Sequence, residues 1–280
     1  MKVTIERTAL LKSLGHVHRV VERRNTIAIL SNVLLQAGSR SLVLKATDLD
    51  LEVTEKVEAD VGQAGVTTLP AHVLFDIVRK LPEGAQVSLE MTGENGQLLL
   101  RSGRSRFNLQ SLSESDFPTL DVGDLSHRFT LAAGDLKKLI DKTQFAVSTE
   151  ETRYYLNGIF MHAVDVDGHM MLRAVATDGH RLARVEIPAP AGAAGMPGVI
   201  VPRKAVAEVQ KLVEDLGAEV TVELSTTKVR FSFGDVVLTS KLIDGTFPDY
   251  ARVIPTTNDK RLVVECGPFM DAVDRVSTIS

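Results

Sequence analysis

The sequence contains a single cysteine, Cys266, so no pair is available for an internal disulfide or a cysteine-rich zinc site. One cysteine, which we expect to be a small buried thiol, is typical of a protein from a reducing compartment, and we predict a cytoplasmic location. No apolar run approaches the ~18 residues needed to span a bilayer. The first residues, Met1 to Ile5, alternate like a strand and have no signal-peptide core.

Several chemical motifs are also missing. There is no G-x-x-x-x-G-K-[ST] loop, no G-x-G-x-x-G and no H-E-x-x-H. His16 and His18 are two residues apart, and on a helix they point in different directions, so a shared metal is not expected. We therefore predict no cofactor and no metal. The net charge is −4, so any contact with nucleic acid must use a local basic face, be weak, or depend on enclosure.

What the chain does contain is an internal repeat. Ala46-Thr47-Asp48 returns 130 residues later as Ala176-Thr177-Asp178, and Phe117-Pro118 returns at the same distance as Phe247-Pro248. Self-similarity at a fixed spacing indicates tandem copies of one structural unit. A chemical site is rarely needed twice on one chain, so the repeat favours a structural or binding role over catalysis.

Each copy has the pattern of two helices and several antiparallel strands. In the first copy, apolar residues at helical spacing are backed by a basic stripe, and we predict that this stripe is exposed. The apolar residues are Leu10, Leu14, Val17 and Val21, and the basic ones are Lys12, His16, Arg19 and Arg23. A second helix is predicted from Pro70 to Pro82, and strands at residues 42–54 and 85–110, the latter with a hairpin turn at Asn95-Gly96.

The second copy repeats this order. Its first helix is predicted to bury Leu136, Leu139 and Ile140 and to expose lysines, and Asp167-Gly168 supplies a hairpin turn. Its second helix begins at Pro202 and is predicted to expose Lys204, Glu208 and Lys211. Basic residues on equivalent helices of both copies are stronger evidence for a functional basic surface than one basic helix face would be. If the helices face inward in an arc, the concave surface is positive.

A third copy is predicted to begin near residue 260, where Leu262-Val263-Val264 is strand-like and a helix starts at Phe269. One strand and one helix cannot bury a core of their own, so we expect a further stretch of about 100 residues to be lacking. The predicted domains are 1–122, 128–256 and a truncated 260–280.

Asp178 and His180 form a possible acid–base pair, but the recurrence of Ala-Thr-Asp in the first copy favours a turn role for the aspartate. We expect the segment 179–182, which does not repeat, to bind rather than to catalyse. Tyr154 and Tyr155, beside Arg153, either stack on bases or belong to a core strand, and the residues alone favour neither.

Five segments spread over both copies together resemble the bacterial DNA polymerase III beta subunit family, the sliding clamps. They are Ser102–Phe107, Arg153–Gly158 (Arg-Tyr-Tyr-Leu-Asn-Gly), Ala176–Ala183 (Ala-Thr-Asp-Gly-His-Arg-Leu-Ala), Val199–Lys204 and Ser240–Tyr250. The resemblance covers the whole chain.

This resemblance implies an α+β chain of tandem clamp-fold domains, with helices lining a ring that encloses duplex DNA. A full-length chain would form a homodimer without catalytic activity. The implied partners are DNA, bound without sequence specificity, the replicative polymerase alpha subunit, the clamp loader, and other polymerases and repair proteins that dock through a short clamp-binding peptide.

The resemblance also implies three sets of site residues, which are carried over by motif. The DNA contacts are Arg24, Tyr154, Tyr155 and Lys204. The peptide-binding wall consists of Leu156, Thr177, Gly179, His180, Arg181, Leu182, Pro248, Arg252 and Val253. The subunit interface pairs Phe107 and Leu109 of one chain with Thr278 and Ile279 of another.

We expect the chain to depart from the family in an incomplete third domain, which leaves ring closure and tight peptide binding open for this molecule. Two alternatives to a clamp also stay open here. One is a hydrolase that uses Asp178 and His180 on an α+β scaffold, and the other is a protein-interaction scaffold with no role on DNA.

Overall fold

The structure is a computed structural model that describes residues 1–92 and 96–279. The described chain divides into two compact units, one from Met1 to Thr246 and one from Phe247 onward. The first unit contains both complete repeats. The domain boundaries predicted at residues 122, 128 and 256 stay predictions. Within the described residues, no helix is long and apolar enough to cross a membrane.

The described residues of the first repeat form nine strands and two α-helices. In chain order these are β1 (Lys2–Glu6), α1 (Arg7–Val17), β2 (Asn32–Gly38), β3 (Ser41–Thr47), β4 (Leu51–Glu58), β5 (Asp60–Gln63), β6 (Gly65–Pro70), α2 (Ala71–Lys80), β7 (Gln86–Thr92), β8 (Gln97–Ser102) and β9 (Ser105–Gln110).

The second repeat has the same order without a counterpart of β5. Its elements are β10 (His127–Ala132), α3 (Ala133–Asp141), β11 (Gly158–Val166), β12 (His169–Thr177), β13 (Leu182–Pro188), β14 (Val199–Pro202), α4 (Arg203–Leu216), β15 (Glu219–Leu224), β16 (Lys228–Phe233) and β17 (Val236–Lys241). Residues 121–126 between the repeats are irregular, as their composition predicts.

Sheet topology confirms that the two copies are equivalent. The order β4-β3-β2-β6 in the first repeat corresponds to β13-β12-β11-β14 in the second, and β1-β7-β8-β9 corresponds to β10-β15-β16-β17. The two repeats are joined edge to edge, because β17 pairs antiparallel with β4 from Val236↔Glu55 to Ser240↔Leu51. One eight-stranded sheet therefore crosses the boundary between the repeats.

The apolar stripes of the helices pack as the sequence predicts. Leu74 and Val78 of α2 and Leu136 and Leu139 of α3 are buried, and they belong to one core cluster shared by both repeats. Helix α2 follows Pro70, whose fixed φ suits a helix start. Asp167 and Gly168 both have positive φ between β11 and β12, which confirms that hairpin turn. Gly96 also has positive φ, but Asn95 lies outside the described residues.

The predicted basic stripe on α1 is wrong in part. Helix α1 ends at Val17, so Arg23 lies beyond it. His16 is only 3% exposed, and its Nδ1 lies 2.7 Å from Oε2 of Glu55 on β4. Helical spacing alone could not show that a carboxylate 39 residues away would draw the imidazole inward. On α4, Glu208 is likewise buried, with Lys211 bound to it at 2.7 Å.

In its described residues, the second unit contains a 3₁₀ turn, Tyr250–Val253, and one α-helix, α5 (Cys266–Ser277). The strand predicted at Leu262–Val264 is wrong, since these residues are exposed and irregular. A strand needs a hydrogen-bonded neighbour, and the described residues offer none to this segment. Cys266 is exposed, which corrects the expectation of a buried thiol.

Candidate functional site

The turn between β12 and β13 is held by the side chains of two of its own residues. The Thr177 hydroxyl accepts a hydrogen bond from the backbone N–H of Gly179 at 3.1 Å. The Asp178 carboxylate accepts from the backbone N–H groups of His180 and Arg181, each at 2.9 Å. The hydrogen bond from the Arg181 N–H has the largest effect, followed by the one from His180, and together they lower the pKa of Asp178 to about 2. The turn is a rigid platform whose aspartate stays ionised.

Three further predicted wall residues, Leu156, Arg181 and Leu182, belong to the same unit as this turn. Arg181 is bound through its Nε to Asp178 at 2.9 Å, and its guanidinium lies 5.7 Å from the ring centre of Phe145. Phe145 itself is 55% exposed, an unusual position for so large an apolar side chain. Leu156 is buried and Leu182 is half-buried. The first unit therefore presents an exposed aromatic, a fixed cation and apolar residues together.

The remaining wall residues lie in the second unit. Pro248 and Val253 are exposed, Val253 by 69%. Arg252 is bound through its Nε to Asp249 at 2.8 Å. Their role in a common site with Leu156 and the Thr177–Leu182 turn stays a prediction.

Arg153 was missing from the predicted site residues. Its Nε donates to Oε2 of Glu150 at 2.8 Å and its Nη2 to Oε1 at 2.5 Å, which forms a two-point ion pair. The third nitrogen, Nη1, covers Gly179, because a Cβ added there would lie 2.5 Å from it. The spacing of Glu150 and Arg153 could have indicated the ion pair, but the sequence does not show that Arg153 covers Gly179.

The two predicted DNA-contacting tyrosines lie on the short 3₁₀ turn Glu151–Leu156. Their rings meet edge to face, with centres 5.8 Å apart, and Tyr154 is 53% exposed. Gly245 approaches them closely, since a Cβ there would lie 3.0 Å from Cβ of Tyr155. The structure thus excludes the alternative of a core strand for this segment.

The predicted cations behave differently from each other. Arg24 is exposed and forms no ion pair with any residue that the structure describes. Lys204, at the start of α4, is bound to Glu22 at 3.0 Å and also to Asp48, both in the first repeat. Burial lowers the pKa of Lys204, but the hydrogen bonds to Asp48 and Glu22 outweigh burial and raise it overall. Lys204 therefore ties the two repeats together in this structure.

These predicted DNA contacts lie on neighbouring segments. The backbone N–H of Arg203 donates to the carbonyl of Asn157 at 2.9 Å, which places the start of α4 against the end of the tyrosine turn. Lys204 in turn contacts Glu22, two residues before Arg24. Other helix lysines are partly neutralised as well, since Lys137 is bound to Asp141 and Glu214.

The predicted interface residues lie on an edge strand and just after a helix. Phe107 is half-buried and Leu109 is 8% exposed on β9, an edge strand of its sheet in the described structure. Thr278 and Ile279 follow α5 in the second unit, and Ile279 is 90% exposed.

The Asp178–His180 pair lacks the geometry of a hydrolytic site. Both carboxylate oxygens of Asp178 are occupied by the turn and by Arg181. His180 is exposed and contributes its backbone N–H, rather than its imidazole, to the turn. In the described residues, no group of three or more His, Cys, Asp and Glu side chains could hold a metal.

Tandem repeats of two helices and paired antiparallel sheets, joined edge to edge, define a protein of the DNA-clamp fold. Comparison with known proteins identifies the family. Residues 1–121 match the model of the DNA polymerase III beta subunit N-terminal domain, and residues 130–249 match that of its central domain.

Individual relatives agree with this assignment. The chain is 57% identical over 280 residues to the beta sliding clamp of Caulobacter vibrioides, which covers the whole chain and 75% of the relative. The structure of Caulobacter crescentus pol III beta superposes with a TM-score of 0.97 at 57% identity, over the whole chain and 76% of that protein. A Bartonella birtlesii sliding clamp bound to griselimycin gives a TM-score of 0.96 at 57% identity, over the whole chain and 75% of that protein.

The chain belongs to the DNA polymerase III beta subunit family. This confirms the predicted sliding-clamp fold and function, and it favours a non-catalytic clamp over both the hydrolase and the DNA-independent scaffold. The chain spans about three quarters of the length of these relatives.

Proposed function

We propose that this chain contributes two domains to a closed homodimeric ring that encloses duplex DNA and tethers the replicative polymerase to it. The observation that carries this proposal is the β17–β4 junction, which joins one repeat to the next by backbone pairing. The equivalent edges, β9 in the first repeat and β13 in the second, are sheet edges in the described structure. Head-to-tail joining through repeated edges of this kind can close into a ring.

Internal equivalence supports the proposed subunit interface. Phe107 is the third residue of β9, and its counterpart Leu238 is the third residue of β17, fully buried at the junction. Ile279 lies as far from the start of α5 as Val20 lies from the start of α1, and Val20 is also fully buried. The counterparts of Phe107 and Ile279 are thus both buried apolar residues, which supports an apolar contact at the predicted interface.

DNA contact in such a ring is proposed to be weak and nonspecific, through Arg24, Tyr154, Tyr155 and Lys204. A net charge of −4 fits enclosure better than tight binding to phosphates. Lys204 would have to leave Glu22 and Asp48 before it could reach a phosphate, so we assign the larger share to Arg24. The proposed location is the bacterial cytoplasm.

Retention on closed circular DNA after loading tests this function. Arg24→Glu should shorten retention, because it replaces a cation that forms no ion pair with the described residues by a charge that phosphates repel. Arg101→Glu is the matched control, since Arg101 is an exposed cation on β8. Equal retention of both variants would contradict the DNA role of Arg24, and no retention of the wild-type protein would contradict the clamp function.

Partner proteins, including the polymerase alpha subunit, the clamp loader and repair proteins, are proposed to bind the wall around the Thr177–Leu182 turn through a short peptide. Griselimycin, which the Bartonella relative holds, is proposed to bind this chain at the same wall. Leu182→Ala and Arg181→Ala should each weaken griselimycin binding at least several-fold in calorimetry. Unchanged affinity in both variants would exclude this wall.

A further inference from the structure

One short turn carries residues of both proposed surfaces. Tyr154 and Tyr155, the proposed DNA contacts, are followed directly by Leu156 of the partner wall. Arg153 precedes them and covers Gly179 of the same wall. A change in the position of Arg153 would therefore affect both the proposed DNA contacts and the partner wall.

The position of Arg153 is set by Glu150. Two of its three guanidinium nitrogens are bound to the Glu150 carboxylate. This bond is the main reason that the pKa of Arg153 is raised and that of Glu150 is lowered. Tyr155 and Asp178 also act on the charge of Arg153, and His180 and Asp178 act on that of Glu150.

The ion pair is easily exchanged. The side chains of Arg153 and Glu150 are 33% and 52% exposed, and exposed pairs contribute little net stability because solvent screens them. Like a carboxylate, a phosphate can accept two parallel hydrogen bonds from the planar fork of a guanidinium, so it can take the place of Glu150 on Arg153. A phosphate beside the tyrosines would also repel Glu150.

We propose that Arg153 couples the two surfaces: DNA phosphate at the tyrosine turn displaces Glu150 from Arg153, which uncovers Gly179 for the partner peptide. This inference rests on the proposed clamp function and deepens it. Glu150 is the positioning residue, because it acts only through Arg153. Coupling between two sites is reciprocal, so partner binding would equally favour DNA contact. The effect expected from exchanging one exposed ion pair is about two- to fivefold in affinity.

Calorimetry with griselimycin, with and without a saturating short DNA duplex, tests the coupling. The wild-type protein should bind griselimycin about two- to fivefold more tightly when the duplex is present. Glu150→Gln should show the tighter affinity without duplex and no further gain with it, because Arg153 is already released. Glu151→Gln is the matched control, since Glu151 is the adjacent exposed acid and forms no ion pair with described residues, and it should behave like the wild type.

Three results would overturn the proposal. The first is a wild-type affinity for griselimycin that does not change when the duplex is added. The second is a Glu150→Gln variant that still gains affinity with the duplex, and the third is a Glu151→Gln variant that loses this gain as fully as Glu150→Gln. Anisotropy of a labelled duplex and the Leu182→Ala variant separate this failure from failure of the function. If the duplex binds and Leu182→Ala weakens griselimycin binding, both proposed surfaces are supported and only their coupling is wrong. If either result is not obtained, the proposed function and the coupling are both contradicted.

Discussion

The turn after β3 and the turn after β12 are the same structure used in two ways. In the first, Asp48 accepts hydrogen bonds from the backbone N–H groups of Asp50 and Leu51 at 3.0 and 2.7 Å. In the second, Asp178 accepts from the residues at the same two positions, at 2.9 Å each. Both turns also need positive φ at the residue after the aspartate, +81° at Leu49 and +89° at Gly179.

The turns differ in what the second oxygen of the aspartate binds. Asp48 binds Lys204 of the other repeat, so the first turn is a clasp inside the molecule. Asp178 binds Arg181 of its own turn, which leaves that turn open on the surface. The two repeats thus contain the same turn, and the one that contacts the neighbouring repeat has a structural role.

The largest effect should come from removing the aspartate of the clasp. Asp48→Ala loses two backbone hydrogen bonds and one of the two partners of Lys204, and we expect a loss of about 2–3 kcal/mol in the free energy of unfolding. Asp178→Ala should cost less, because Asp178 is paired with Arg181 of its own turn rather than with the other repeat. Denaturant unfolding of both variants measures the difference. An equal or larger loss in Asp178→Ala would contradict the claim that only the turn at Asp48 has a structural role.

Next in size is the residue with positive φ. Gly179→Ala forces a Cβ into a left-handed conformation beside Arg153 and should cost about 1–2 kcal/mol. Leu49→Gly relieves the same strain but gains chain entropy in the unfolded state, so it should change stability by less than about 1 kcal/mol. Thermal unfolding of the two variants tests this, and a strongly destabilised Leu49→Gly would show that the leucine side chain, rather than the backbone, matters there.

The clasp lysine should contribute less. Lys204→Met leaves Asp48 without its cation, but the Lys204 side chain is 41% exposed and its charge is screened, so we expect a loss of about 1 kcal/mol. Because the pKa of Lys204 is raised, its contribution is complete below pH 10.5 and is lost as the pH rises above that value. Lys241→Met is the control, since its partner Asp50 is 75% exposed, and it should be nearly neutral. Equal losses in the two variants would contradict the clasp.

The smallest effect should appear in acid. Since the pKa of Asp178 is lowered to about 2 from 3.8, its contribution to stability is present above pH 3.8 and disappears as the pH falls toward 2. Carboxyl NMR should show this titration directly. In Asp178→Asn the melting temperature should depend less on pH in this range. A midpoint near 3.8 would mean that the turn does not hold the charge.

Periodicity and repetition predicted most of the fold, because both are written along the chain. The burial of Leu74 and Val78 follows from helical spacing, and the equivalence of the two copies follows from the recurrence of Ala-Thr-Asp. The burial of His16 did not follow, because it depends on Glu55, which only the tertiary structure brings near.

The candidate site shows the same division. Motifs identified the segments that surround the turn, including Arg181 and Leu182. They did not reveal that Lys204 is bound by Asp48, a residue 156 positions away, nor that Arg153 covers Gly179. Charge pairing across large sequence distances leaves no periodic signal, so a basic residue in a motif cannot be assumed to be free.

The sheet that crosses the repeat boundary also implies a delay during synthesis before one of its strands can pair. Strand β4 is complete at Glu58, but its partner β17 begins only at Val236. At about 5–20 residues per second, the ribosome needs roughly 10–40 s to make the intervening chain. During that interval β4 is an unpaired edge that could join another nascent chain. The charged Glu55, Lys56 and Glu58 along this strand are the kind of residues that discourage such errors until its own partner arrives.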